Sequence, residues 1–173
     1  GLSFGGALAL EFFRRHGAQV RALFLAGAYA GWAGSLSADT VEQRLRTSLE
    51  ASRMAPAEFV SLLLPSMFST SAPADLVAEF GANMAERFRP AGFRTMALAS
   101  AEADLRGVLP QIEVPTIVLH GEADVRAPKH VAEALCAAIP TARLVALPGV
   151  GHVSCVEAAE RFTTEVQAFL RQV

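Results

Sequence analysis

Ser3, Asp124 and His152 are the residues whose types, order and surroundings could together do covalent chemistry. Ser3 stands in Gly1-Leu2-Ser3-Phe4-Gly5-Gly6, a G-x-S-x-G pattern that runs into a helical one. Asp124 ends Leu119-His120-Gly121-Glu122-Ala123-Asp124, and His152 ends Pro148-Gly149-Val150-Gly151-His152. A serine hydroxyl is a poor nucleophile until an imidazole takes its proton and a carboxylate holds that imidazole in the right tautomer. The serine must also stand on a sharp turn, and glycines on either side let the backbone turn there without a Cβ clash. A helix starting directly after it helps twice. Free N–H groups at its start favour negative charge, and the Phe4 N–H is placed to donate to an oxyanion forming beside Ser3.

Each role has rivals. Glu122 could serve as the acid in place of Asp124, whereas Glu113 lies at the wrong end of its strand. Among the histidines, His16 suits a helix C-terminus, where partial negative charge favours it, and His130 sits on a helix next to Lys129. His120 is closer to Asp124, and a packing or supporting role fits it better. Arg126 could bind a substrate carboxylate or stand solvated in its loop. Trp32, the only tryptophan, could line the pocket or simply pack. Cys155 is near His152 in sequence, but the base is already claimed by Ser3, so the thiol reads as inert.

Three parts of the chain must converge, and the elements around them say how. Leu8, Phe12 and Phe13 follow Phe4 at i+4, i+8 and i+9, which predicts a helix with one apolar stripe before Arg14-Arg15-His16-Gly17 closes it. Residues 20–25 predict a buried strand. Residues 114–119 predict a second, with Pro115 at its start where a missing N–H is tolerated, and 143–147 a third. Residues 128–139 read as a helix with Pro128 in its first turn and Val131, Leu135 and Ala138 or Ile139 inward. Residues 156–170 read as a closing helix with Phe162, Val166, Phe169 and Leu170 inward. Strands alternating with crossover helices predict an α/β fold, a parallel sheet covered on both faces. Asp124 and His152 each follow a strand's C-terminal end, where open α/β sheets collect functional side chains.

Residues 37–100 contain no convincing strand. Helical patterns with prolines fill them: Val41, Leu45 and Leu49 with Glu42 and Arg46 spaced for an i,i+4 pair, then 56–64, 73–88 and 90–99. This predicts a helical lid between two strands, rich in Met54, Phe59, Met67, Phe68, Met84, Phe88, Phe93 and Met96, most of which make the lid's own core. The expected organisation is therefore core α/β over 1–36, helical cap over 37–100, and core α/β carrying acid and base over 101–173.

At 173 residues and 52% hydrophobic, the chain can bury the core of one domain. A net charge of −2 without runs of like charge offers no footprint for nucleic acid or an anionic bilayer. No stretch approaches the ~20 apolar residues of a membrane span. Two cysteines, Cys136 and Cys155, have neither metal-ligand spacing nor a disulfide framework, so a reducing, cytoplasmic setting is the default expectation.

The three motif segments quoted above resemble the α/β-hydrolase family over nearly the whole chain. The resemblance implies Ser3 as nucleophile, Asp124 as acid, His152 as base, the Phe4 N–H in the oxyanion hole and the helical insertion as cap. Around His152, Ser154, Val156, Glu157 and Phe162 the chain is similar to members related to 3-oxoadipate enol-lactonases and small carboxylesterases. In that family the first half of the sheet and the loop supplying a second oxyanion N–H precede the nucleophile. The resemblance thus implies the C-terminal part of a longer protein, and these residues alone are expected to fold poorly and be inactive, with the first strand's apolar edge inviting aggregation.

The activity implied is hydrolysis of an ester or lactone of a small, mostly apolar substrate, with no metal and no organic cofactor. The same triad can serve carbon–carbon bond hydrolysis or cofactor-free perhydrolysis, and the same fold can serve as a ligand receptor with little turnover. A dehalogenase is disfavoured because its displacement uses a carboxylate nucleophile.

Overall fold

Runs rich in Val, Leu and Ile form three strands, β1 (Leu23–Ala26), β2 (Thr116–Gly121) and β3 (Ala142–Leu147), in a sheet ordered β1-β2-β3 with both pairs parallel. The computed structural model describes all 173 residues, Gly1–Val173. Thr116 pairs with both Leu23 and Ala142, so the C-terminal ends Ala26, Gly121 and Leu147 share one edge of the sheet. β1 and β2 start later than their apolar runs. Pro115 has no N–H to give, so the ladder opens with Leu23 N–H donating to the Pro115 carbonyl at 2.9 Å, while Val20 closes a turn onto Gly17.

The pleat sorts side chains to two faces with a period of two. Leu23, Leu25 and Val118 meet Ala7 and Leu10 of α1 (Phe4–His16) and Ala132 and Leu135 of α6 (Lys129–Ala138). Ala26, Ile117, Leu119 and Leu147 meet Phe169 of α8 (Ala159–Leu170), with Phe24 and Phe162 packed beside them. Leu25 and Ile117 are fully buried, and truncating either to Ala costs about 2–5 kcal/mol through lost burial and the cavity left behind.

α1 turns a different face inward from the one its bulky residues suggest. Leu8 and Phe12 are 54% and 48% exposed, while Gly6, Ala7 and Leu10 are buried. Close approach decides this: a Cβ on Gly6 would stand 2.4 Å from the Ala28 Cβ, so the small residues face the sheet. Phe12 instead lies against His16, ring centroids 5.0 Å apart.

Between β1 and β2 the chain forms α2 (Ala38–Ala51), α3 (Pro56–Leu63), α4 (Ala74–Arg87) and α5 (Pro90–Glu102). Ser37 caps α2 by accepting from Thr40 N–H, and prolines open α3 and α5, where the missing N–H has no partner to lose. Phe59 stacks on Phe88 at 3.8 Å and takes Phe93 edge-on at 4.8 Å, so these helices hold a core of their own. The Glu42–Arg46 ion pair does not form; both side chains stay in solvent.

The closing segment is two helices, α7 (Ser154–Glu157) and α8, broken at Ala158, whose φ of −130° and ψ of 50° are not helical. Phe162, Val166, Phe169 and Leu170 all lie after the break, within α8. Phe169 is buried, whereas Leu170, expected inward, is 60% exposed.

Candidate active site

Ser3 occupies the turn between a short pairing of Leu2 with Ala26 and the first residue of α1. It is the one non-glycine residue with positive φ, 53°, a conformation costing about 1–3 kcal/mol that persists only where its surroundings enforce it. Three bonds enforce it: Ala26 N–H to Gly1 O, Ser3 N–H to Ala26 O and Gly5 N–H to Leu2 O, each within 2.9 Å. A Cβ on Gly1 would stand 2.2 Å from Gly5 O, whereas Gly5 has open space. The steric demand of the motif thus falls on Gly1 and Gly6. Gly5, Gly6 and Ala7 bond back to Leu2 and Ser3, which leaves the Phe4 N–H without an acceptor in the chain.

Asp124 follows β2 in a turn closed by its own N–H on Gly121 O, and His152 follows β3 in a loop tied back through Ala123 N–H to Val150 O. The two side chains meet: His152 Nδ1 lies 2.8 Å from Asp124 Oδ2, both buried. Oδ1 accepts from the Arg126 and Ala127 N–H groups at 2.8 and 2.9 Å. With Oδ2 accepting from Nδ1–H, the imidazole keeps its Nε2 lone pair as a proton acceptor. Glu122 is exposed and makes no such contact. His120 is buried inside β2 with Nδ1 unpartnered, and desolvation holds its pKa below the ordinary 6.5. Burial pushes the Cys155 thiol up, which keeps it protonated.

Ser3, Phe4, Trp32, Arg126 and His152 line one cavity of about 320 Å³, with Asp124 behind the imidazole. Phe59, Met67, Met84, Phe93 and Met96 supply its apolar wall from the inserted segment. No hydrogen bond joins Ser3 Oγ to His152; such bonds commonly tighten only when substrate is bound. Arg126 is not a solvated loop residue. Its guanidinium donates to Ser66 Oγ at 2.9 Å, and burial pulls its pKa down. No cluster of three or more His, Cys, Asp or Glu is arranged to hold a metal ion, and no helix is long and apolar enough to cross a membrane.

Three residues of this region escaped sequence reasoning. Tyr29 donates its hydroxyl to the Arg126 carbonyl, and Arg44 of α2 donates to both Tyr29 Oη (2.8 Å) and that carbonyl (2.9 Å). Glu157 of α7 accepts from Gly151 N–H (2.9 Å), Ser69 N–H (3.1 Å) and the Ser69 hydroxyl, fastening the inserted segment to the histidine loop. Tyr29 and Arg44 lie in no recognisable motif, and Glu157 stands in the stretch of the finer resemblance without a role that its surroundings in the sequence name.

Comparison with known proteins agrees with this architecture. The model of the alpha/beta hydrolase family matches residues 1–165. A pimeloyl-[acyl-carrier protein] methyl ester esterase of Aromatoleum aromaticum is 29% identical over 163 residues, 88% of this chain and 65% of that protein. A thermophilic esterase from Thermogutta terrifontis superimposes with a TM-score of 0.87 at 28% identity, over 99% of this chain and 63% of its own. The enol-lactonase from Burkholderia xenovorans LB400 does so at 0.81 and 27%, over 99% and 64%. The chain therefore spans less than two thirds of the length of each of these relatives. With three parallel strands, a strained serine turn and a family match over almost its whole length, the chain belongs to the alpha/beta hydrolase family.

Proposed function

We propose that the protein is a serine hydrolase that cleaves a carboxylic ester or lactone of a small substrate through an acyl-enzyme. The buried Asp124–His152 pair at 2.8 Å, opening onto the cavity that Ser3 also lines, carries this reading. Names borne by the relatives, two esterases and an enol-lactonase, support the same reaction class.

In this reading His152 Nε2 takes the Ser3 proton as Oγ attacks the carbonyl carbon. The tetrahedral oxyanion receives the Phe4 N–H, and the leaving alcohol takes the proton back from His152. Water, deprotonated by the same nitrogen, then releases the acid and restores Ser3. Asp124 keeps the tautomer and steadies the imidazolium. The four inserted helices act as a cap that shapes the acyl or alcohol pocket and limits its water.

A fluorophosphonate probe checks the reading on the intact protein. Labelling at Ser3 that disappears in Ser3→Ala and slows in His152→Ala is the expected outcome. A folded protein that shows no labelling at Ser3 and hydrolyses no aryl ester would refute it.

A further inference from the structure

Arg44 and Arg126 are the two cations of the cavity, and no carboxylate lines it. Neither is in an ion pair. The acids that do pair are Glu11 with Arg14 and Arg15, Asp104 with Arg106, Glu133 with Lys129, and Asp124 with His152. Asp124, whose charge reaches Arg126, already has both oxygens engaged. Arg126 uses its guanidinium on Ser66 Oγ alone, and Arg44 on Tyr29 Oη and one carbonyl. Most of the N–H donors of two guanidinium forks are thus left without a protein acceptor.

A half-buried cation among apolar side chains loses hydration that these few neutral acceptors restore only in part, and an incoming anion would restore the rest. Paired planar forks suit an oxyanion with two equivalent oxygens. Position adds a second argument. Trp32, Leu63 and the two arginines line both the Ser3 cavity and a neighbouring cleft of about 340 Å³. The two arginines therefore stand between the two spaces, where a charged end could be held while the neutral end enters the apolar chamber.

We propose that Arg44 and Arg126 select an ester or lactone that also bears a free carboxylate, holding that group between the two spaces while the scissile carbonyl lies at Ser3. This rests on the hydrolase reading above, and the test separates the two. Hydrolysis of monomethyl adipate is compared with that of dimethyl adipate. The expected result is a kcat/KM for the half-ester above that for the diester, a ratio that falls by about 10- to 100-fold in Arg126→Gln, mostly through KM, with a smaller fall in Arg44→Gln. Equal losses on both esters would assign the arginines a purely structural role and overturn the proposal.

A binding arm needs no turnover. In Ser3→Ala protein, monomethyl adipate is expected to raise Tm more than dimethyl adipate, and Arg126→Gln to abolish the difference. Equal shifts would overturn the carboxylate assignment. A larger shift with a monoalkyl phosphate of the same length would also overturn it, in favour of a phosphate. Loss of Ser3 labelling with the binding difference intact would sink the hydrolase reading and leave the anion site standing.

Discussion

Asp124 holds His152 with one carboxylate oxygen and is itself held by the other: Oδ2 lies 2.8 Å from Nδ1, while Oδ1 takes the N–H groups of Arg126 and Ala127. This arrangement makes Asp124→Asn more damaging than its small change in volume suggests. The two backbone donors pin the amide oxygen in the Oδ1 place, so the amide nitrogen must face Nδ1 and donate to it. The imidazole is then forced to carry its proton on Nε2, which leaves it unable to act as the base of the proposed mechanism. A fall of about 10³- to 10⁴-fold in kcat with little change in Tm is expected. Steady-state kinetics on an aryl ester together with a thermal melt check it; a loss below tenfold would separate the dyad from the chemistry.

Gly27 follows β1 directly beneath the same pair. Its φ is +50°, and a Cβ there would stand 3.1 Å from His152 Nδ1 and 3.2 Å from Asp124 Oδ2. Gly27→Ala therefore adds about 1–2 kcal/mol of left-handed backbone strain and pushes on two side chains held in register by their mutual hydrogen bond and by the Arg126 and Ala127 N–H groups. Both stability and turnover are expected to fall, with kcat falling further than the lost folding explains. Unchanged kcat in a variant destabilised by this much would show that the pair tolerates displacement.

Strands, crossovers and the strand-end loops carrying Asp124 and His152 were legible because their signals are local: apolar runs, a proline at a strand start, glycines after a strand end. The phase of α1 was not. The approach of Gly6 to Ala28 chooses it, and neither hydrophobicity nor helical period records that contact, so Leu8 and Phe12 looked like core and are surface. Tyr29, Arg44 and Glu157 were invisible for a related reason. Each reaches a partner far along the chain, 97, 82 and 88 residues away, and a lone tyrosine, arginine or glutamate in a helix or loop has no pattern that names a distant carbonyl or amide. Arg126 was legible as an arginine in a loop, but its burial comes from Ser66 and α2 folding over it.

Glu157 makes a mechanical prediction. Its carboxylate gathers Gly151 N–H from the histidine loop and Ser69 N–H and hydroxyl from the inserted segment, and Val153 N–H to Met67 O adds a parallel tie at 3.0 Å. Glu157→Ala strands those donors and is expected to cost about 1.5–3 kcal/mol of stability. Because one end of the tie is the loop that carries His152, turnover should fall as well, and Glu157→Gln, which keeps an acceptor oxygen, should recover part of both. Denaturant titration and kinetics on the two variants decide it; an alanine variant as stable as the parent would mean that water replaces the carboxylate.

His120 sets part of the pH dependence of folding. Desolvation inside β2 lowers its pKa below 6.5 and Lys129 acts the same way, against the opposing charges of Asp124, Glu122 and Glu133. A folded-state pKa below the unfolded one means that the unfolded chain binds the proton more readily, so stability rises with pH through this window. The neutral imidazole's contribution is complete above about pH 6.5 and is lost as pH falls toward the folded value, at a slope of up to about 1.4 kcal/mol per pH unit. His120→Leu removes both the titration and the buried, unpartnered Nδ1. Denaturant melts at pH 7.5, 6.5 and 5.5 should show the parent losing stability over the acid step and the variant losing less. The parent and the variant differ only at residue 120, so the difference between the two curves isolates His120. Parallel curves would mean that the buried ring finds a proton-compatible partner when the core relaxes.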